Sequence, residues 1–214
     1  VPIIVMTGSG RQEDEARCLE LGASDFVPKP YNQRVVKARI NSVIKLKESA
    51  AALSAIEYDD LTGLYTKSAF YYHAGILMRY KPDQSYAVIM ADVKNFKLIN
   101  NIYGIRVGDD ILRYLAKIMS KALTDGLAAR YSDDQFVMFT SISKNDFEKR
   151  LENAVKYISE NAPIANLLVK YGVYKDVDKS ISISEICDRA IMAMKSIQLN
   201  YEKNIAYYDD QLGQ

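Results

Sequence analysis

The run Tyr86-Ala-Val-Ile-Met90, with an aspartate two residues further on at Asp92, most limits what this chain can fold into. Apolar residues in unbroken succession read as a strand buried on both faces, so helices must cover the sheet on either side. An acid at the end of such a strand is a candidate site residue, because ligands of open α/β sheets gather outside the carboxyl ends of strands.

The residues around this strand supply the covering layers. Lys67 to Tyr80 has helical character, Lys81-Pro82-Asp83 is a turn, and Phe96 to Tyr103 reads as a short helix. A long helix is predicted over 108–122, and two strands, 128–131 and 136–140, form a hairpin about Ser132-Asp133-Asp134-Gln135. Helix 145–160, strand 167–174, helix 184–199 and strand 205–208 complete the series. The fold class predicted is α/β, an α+β sandwich with a mixed central sheet flanked by helices.

Upstream, Ile3 to Met6 is another strand, 13–21 a helix stopped by Gly22, and Asp25-Phe26-Val27 a short strand ended by Pro28-Lys29-Pro30. A helix begins at Gln33 and extends to Leu53. Val43, Leu46, Ala50 and Leu53 follow a heptad seam for a short distance, which fits either packing within its own domain or a short dimerising coiled coil. The division predicted is 1–46, a linker helix over 47–58, and 59–210.

Lys and Arg number 28 and Asp and Glu 27, a formal charge of +1, so the basic stripe of a nucleic-acid binder is not expected. No apolar run approaches the roughly 20 residues that span a bilayer, and no signal-peptide pattern opens the chain. Cys18 and Cys187 lie far apart in helix-like stretches and read as free thiols of a reducing compartment. The expectation is a cytoplasmic protein. The opening Val-Pro-Ile-Ile-Val-Met reads as a strand, so the sequence is expected to be a piece of a longer protein.

Residues 1–46 resemble the C-terminal part of a response-regulator receiver domain, a partial flavodoxin-like fold. The resemblance rests on Pro-Ile-Ile-Val-Met-Thr7, Gly22-Ala-Ser-Asp-Phe26 and Lys29-Pro30. It implies that Thr7 and Lys29 contact a phosphoaspartate and that Phe26 is the switch aromatic. A lysine ammonium offsets acyl-phosphate charge and a hydroxyl donates to a phosphoryl oxygen. The acceptor aspartate of such domains lies upstream of this sequence, so the remaining receiver is an expected partner, and the fragment alone is not expected to be phosphorylated.

Residues 59–208 resemble the GGDEF (diguanylate cyclase) family. Asp59-Asp-Leu-Thr-Gly-Leu64 is similar to its opening D-x-L-T-G-L. The block Asp92-Val-Lys-Asn-Phe-Lys-Leu-Ile-Asn-Asn-Ile-Tyr-Gly104, then Gly108-Asp109, is similar to D-x-D-x-F-K-x-I-N-D-x-x-G-H-x-x-G-D. Ala129-Arg-Tyr-Ser-Asp-Asp-Gln-Phe136 stands in the place of the signature itself.

The resemblance implies that two GTP molecules are joined into cyclic di-GMP across a dimer of domains, with Mg²⁺ or Mn²⁺ as cofactor. Asn100 and Asp109 match the guanine-binding positions, Asp92 and Asp134 the metal carboxylates, and Asp134 also the proposed base. Phe96, Lys97 and Lys195 fall in the nucleotide-binding positions. A divalent cation neutralises triphosphate charge and polarises phosphorus. Apart from the family, Asn100 has a second reading as a helix cap, Asp109 as a charge at a helix start, and Lys97 as a solvated lysine. His73, the single histidine, reads as a helix residue without a catalytic task.

The signature is altered to Ser132, Asp133, Asp134, Gln135, Phe136. Glycines there let backbone approach a nucleotide, whereas Asp133 adds a negative charge beside a triphosphate. Two like charges about 4 Å apart repel by roughly 4 kcal/mol at an effective dielectric near 20, before solvent and metal reduce it. Gln135 keeps an acceptor oxygen and loses a charge. Lys94, Asn101 and Ile105 also depart from the pattern, and Leu199 stands where an arginine is expected. At 123–126, Leu-Thr-Asp-Gly lacks the arginine of the family's product-binding R-x-x-D.

The expected function is cyclic di-GMP signalling in a two-component system. The degenerate domain is expected to bind GTP without making product and to regulate a downstream EAL-type domain, which Ala206-Tyr-Tyr-Asp-Asp210 resembles in its junction. Two alternatives stand beside it: a working diguanylate cyclase, and a ligand-free homodimerisation module.

Overall fold

The computed structural model describes residues 2–8, 12–123, 125–142 and 146–210. The chain divides into two compact units, Val1–Ala55 and Ile56–Gln214.

In the first unit, β1 (Ile4–Thr7) pairs in parallel with β2 (Asp25–Pro28), and α1 (Gln12–Glu20) links them. Phe26 and Val27 are buried. The peptide Lys29–Pro30 is cis, and the Lys29 amide donates to the Thr7 carbonyl at 2.7 Å. The helix predicted from Gln33 runs unbroken as α2 (Gln33–Glu57) and takes in most of the stretch 47–58. No residue of α2 is buried, and Leu46 and Leu53 on the predicted seam are exposed.

The second unit holds β3 (Tyr65–Thr66), α3 (Lys67–Tyr80), β4 (Tyr86–Val93), α4 (Phe96–Tyr103), α5 (Ile105–Ala122), β5 (Gly126–Arg130), β6 (Gln135–Ser141), α6 (Phe147–Glu160), β7 (Val169–Lys175), α7 (Ile183–Ser196) and β8 (Ile205–Tyr207). The six strands lie in the order β3-β5-β6-β4-β7-β8. β4 is central and antiparallel to both β6 and β7, while the outer pairs β3–β5 and β7–β8 are parallel. This is the mixed, helix-flanked sheet that the strand run at Tyr86 predicts.

Side-chain alternation on β4 divides the core. Ile89, Ala91 and Val93 join Ile111, Leu112, Leu115 and Met119 of α5 with Leu151 and Ile158 of α6. Tyr86, Val88 and Met90 join Phe70 and Ala74 of α3 with Ile186, Ala190 and Met194 of α7. Burying each large side chain contributes roughly 1.5–3 kcal/mol, and β4 supplies such residues to both layers. Gly172 of β7 lies under α7 where a Cβ would run into the Ala190 carbonyl and the Met194 backbone, so its lack of a side chain sets the closeness of helix to sheet.

Several bounds depart from the sequence reading: β5 begins at Gly126 and not 128, β7 begins at Val169 and not 167, and α7 ends at Ser196 and not 199. α5 begins at Ile105 rather than 108, because Gly104 at φ 87° ends α4 and starts α5 at once, a conformation that favours glycine. β3 was not predicted, being two residues long and held by its pairing with β5. Residue 145, the predicted start of α6, lies outside the described residues. Cys187 is buried, which pushes its thiol up to about 12, and Cys18 is half-buried; both are free.

Candidate functional site

The register of β4 brings the altered hairpin against the acid at its end. Asp92 lies opposite Gln135 on one side and Lys170 on the other. Gln135 Nε2 donates to Asp92 Oδ2 at 2.7 Å, and Ser132 Oγ donates to Gln135 Oε1 at 3.2 Å. The amide faces are fixed by chemistry, since only the NH₂ group can serve a carboxylate oxygen. The turn is closed by Tyr131 and Ser132 amides on the Gln135 carbonyl.

Arg130 secures the same turn. Its Nε and Nη2 donate to the Asp133 carbonyl at 3.2 and 2.7 Å, and Nη1 donates to Asp59. The Asp133 side chain is exposed at the tip. Asp134 follows it, half-buried, with its carbonyl accepting from the Val93 amide at 3.3 Å. Burial raises the Asp134 carboxyl above its ordinary value, and the charges of Asp92 and then Asp133 raise it further against the opposing pull of Arg130.

Asn100 and Asp109 lie on successive helices. Asn100 is in the last turn of α4, whose N-cap is Asn95, so the helix-cap reading does not describe it. Asp109 stands beyond the first turn of α5, which contains no acid. The Asn100 side chain lies across Gly108, where a Cβ would overlap Asn100 Oδ1 and come within 3.1 Å of Phe96 Cζ. Asn100 Oδ1 is buried and has no hydrogen-bond partner among the described residues. An unpaired buried acceptor costs roughly 1–3 kcal/mol, so it marks an atom suited to an incoming donor. Phe96 is half-buried against the α5 layer.

The lysines serve different ends. Lys97 and Lys195, the predicted phosphate-side lysines, are both exposed, Lys97 in α4 and Lys195 in the last turn of α7. Lys94 is committed elsewhere: its Nζ donates to the Gln198 carbonyl at 2.6 Å and to Gln198 Oε1 at 3.3 Å. Lys170 is fully buried and donates to the carbonyls of Asn200 and Lys203 at 2.5 and 2.6 Å and to Asn204 Oδ1 at 3.2 Å. Burial, then the charge of Lys94, lowers its ammonium below the ordinary range. Both lysines thereby hold the segment after α7.

Arg130, Asp59 and Lys170 were not among the sequence-predicted site residues. Asp59 and Arg130 stood inside quoted motifs, and their pairing across 71 residues left no local trace. A lysine between Val169 and Tyr171 in an apolar strand was the available signal for Lys170. Thr7, Phe26 and Lys29 lie in the other unit, at β1 and around β2. In the predicted product-site stretch, Asp125 pairs with Lys81 at 3.1 Å, and Thr124 lies outside the described residues. His73 Nε2 lies 2.9 Å from Glu57 Oε1.

Among the described residues, no three His, Cys, Asp or Glu side chains gather as a metal cluster. The two carboxylates Asp92 and Asp134 still fit a magnesium-type ion. The charge of Asp92 raises the Asp134 carboxyl in spite of Arg130, and such an ion characteristically takes one or two carboxylates and completes its shell with water and phosphate oxygens.

A family model described as "Diguanylate cyclase, GGDEF domain" matches residues 56–203. The chain is 34% identical over 104 residues to the diguanylate cyclase VdcA of Vibrio cholerae, covering 45% of this chain and 28% of that protein. It is 24% identical over 149 residues to the response regulator PleD of Caulobacter vibrioides, covering 64% of this chain and 33% of that one. It therefore spans about a third or less of these relatives. A solved structure of the coiled coil and GGDEF domain of DgcB from Caulobacter crescentus, in complex with c-di-GMP, superposes with a TM-score of 0.68 at 19% identity, covering 81% of this chain and 97% of that one; this likeness speaks to the fold. With the family model spanning more than half of its residues and the sheet order and helix layers as described, the chain belongs to the GGDEF family of diguanylate cyclase domains.

Proposed function

We propose that this domain binds GTP as a regulatory ligand in cyclic di-GMP signalling and does not synthesise the dinucleotide. The observation that carries the reading is the buried, unpartnered Asn100 Oδ1, with Asp109 on the neighbouring helix. A guanine edge presents N1–H and N2–H₂ donors, which an amide oxygen and a carboxylate can accept. Adenine presents an acceptor at N1 and only a C–H at position 2, so the pair discriminates between the purines.

Catalysis is opposed at the hairpin. Asp133 adds an exposed negative charge beside the place of a triphosphate, and Gln135 occupies an oxygen of Asp92. Lys94, where the family pattern has an acid, is bound to the Gln198 carbonyl. Asp92 and Asp134 would hold a nucleotide-borne Mg²⁺, which supplies charge neutralisation of the triphosphate. The guanine positions Asn100 and Asp109 and the carboxylates Asp92 and Asp134 are retained, and the alterations at Ser132, Asp133 and Gln135 fall in the hairpin around Asp134.

Residues 1–46 are read as part of a receiver that delivers the upstream signal, and a following EAL-type domain is the partner to which the GTP-bound state would be passed. Homodimerisation is the further association this reading includes.

The test is titration calorimetry with GTP and ATP in the presence of Mg²⁺, paired with chromatography of long incubations. GTP binding that exceeds ATP binding and is lost in Asp109→Ala, without cyclic di-GMP, is the expected result. A product peak abolished by Asp134→Ala would establish a working cyclase instead. No GTP binding would leave a ligand-free module.

A further inference from the structure

The structure assigns to Gln135 a specific task at the nucleotide site: we infer that its side-chain amide is an internal stand-in for a cation on Asp92, which keeps the site closed to bare divalent metal. This rests on the reading of Asp92 and Asp134 as the carboxylates of a GTP site.

The argument starts with the geometry of the bridge. Gln135 Nε2 lies 2.7 Å from Asp92 Oδ2, a short bond of the charge-assisted kind. The amide is oriented from its other end, where Ser132 Oγ donates to Oε1 at 3.2 Å. The backbone beneath it is fixed, because Asp92 and Gln135 are register partners of adjacent strands and Arg130 holds the turn by the Asp133 carbonyl. The amide is therefore held at both ends, over a backbone fixed by strand register and by Arg130.

A carboxylate in the place of Gln135 would face Asp92 as a like charge at hydrogen-bond distance. That arrangement is relieved only by a cation between them or by a proton shared by the pair. The amide satisfies Asp92 Oδ2 with a neutral donor and brings the hairpin onto the end of β4 without either. A divalent ion approaching alone must displace this bond and lose its own waters, and magnesium dehydrates reluctantly. An ion arriving on a triphosphate brings phosphate oxygens as ligands, which compensate the displacement. The site is thus arranged to admit metal with nucleotide and to reject metal by itself.

The experiment measures binding of Mn²⁺ alone, without nucleotide, from the loss of the free-ion paramagnetic resonance signal. Wild-type protein, Gln135→Glu, Gln135→Ala and Asp92→Asn are compared, each checked for folding by its circular-dichroism melt. Both Gln135 variants should bind Mn²⁺ roughly tenfold or more tightly than wild type, since each frees the Asp92 oxygen, and Glu adds a ligand as well. The gain should vanish when either is combined with Asp92→Asn. Wild-type affinity equal to that of Gln135→Ala would overturn the inference. So would a gain in Gln135→Glu alone, which would reflect added charge and not a vacated seat. Mn²⁺ behaving as expected while GTP fails to bind would sink the nucleotide reading and leave the role of Gln135 standing.

Discussion

Arg130 at the end of β5 and Asp59 ahead of β3 form an ion pair, with Arg130 Nη1 3.3 and 3.2 Å from the two carboxylate oxygens of Asp59. The same guanidinium holds the Asp133 carbonyl, so the start of the domain and its signature hairpin share one cation. Both side chains are about one-fifth exposed, and a bond of this kind to a charged group is worth roughly 1.5–3 kcal/mol. Arg130→Ala is expected to destabilise the domain by about 2 kcal/mol in chemical denaturation. Arg130→Lys should restore little, since a single ammonium cannot replace the fork.

The same pair predicts an acid dependence. Burial pushes the Asp59 carboxyl up, but the Thr62 hydroxyl and amide together with Arg130 outweigh it and hold the group below its ordinary 3.8. The unfolded chain then binds the proton more tightly. Stability from this group is present above pH 3.8 and is lost as pH falls through the lowered value. Asp59→Asn should flatten the stability profile in that acid window, as read from melts across pH.

Asp134 works in the opposite sense. Its raised carboxyl means that the folded state binds a proton more tightly than the unfolded chain, so stability falls as pH rises above 3.8 and stays lower at neutrality. Asp134→Asn should therefore raise the melting temperature at pH 7 relative to wild type, and the difference should shrink as pH is lowered toward 3.8. An unchanged or lowered melting temperature would show that Asp134 carries no such burden.

Gly108→Ala separates binding from folding. The new methyl would meet the tip of the Asn100 side chain, which can swing away, so stability should change little. Asn100 would then be misplaced, and GTP affinity should fall by about tenfold or more in calorimetry, consistent with one misdirected hydrogen bond.

Lys170→Met tests the knot after α7. The methionine fits the volume but leaves the Asn200 and Lys203 carbonyls and Asn204 Oδ1 without their donor. A loss of about 2–4 kcal/mol is expected, with protease cleavage appearing between 197 and 204. Cleavage no faster than in wild type would show that the lysine is dispensable there.

The sheet and its covering helices were legible in the sequence because long apolar runs such as Tyr86–Met90 leave few alternatives. Helix α3 falls at 67–80 as read, where Thr66 caps it with a side-chain bond to the Ala69 amide. The motif stretches located the hairpin and the two helices bearing Asn100 and Asp109. What the sequence did not disclose were relations between strands. That Gln135 serves Asp92, or that Lys170 ties down Asn200 and Lys203, depends on register and on loop paths that no periodicity encodes. The two-residue β3 was missed because its strand geometry comes from its partner and not from its own residues.

Strand β4 also sets how the domain would behave in deuterated water. Every residue from Tyr86 to Val93 except Asp92 is buried, and both edges of the strand are paired. Its amides can exchange only when the whole unit opens, whereas β3 and β8 sit at the sheet margins and can fray. A ligand seated at the Asp92 end would therefore slow exchange along this strand by the full binding free energy. The deepest amides of the domain, and not those nearest the nucleotide's surface contacts, would be its most faithful gauge of occupancy.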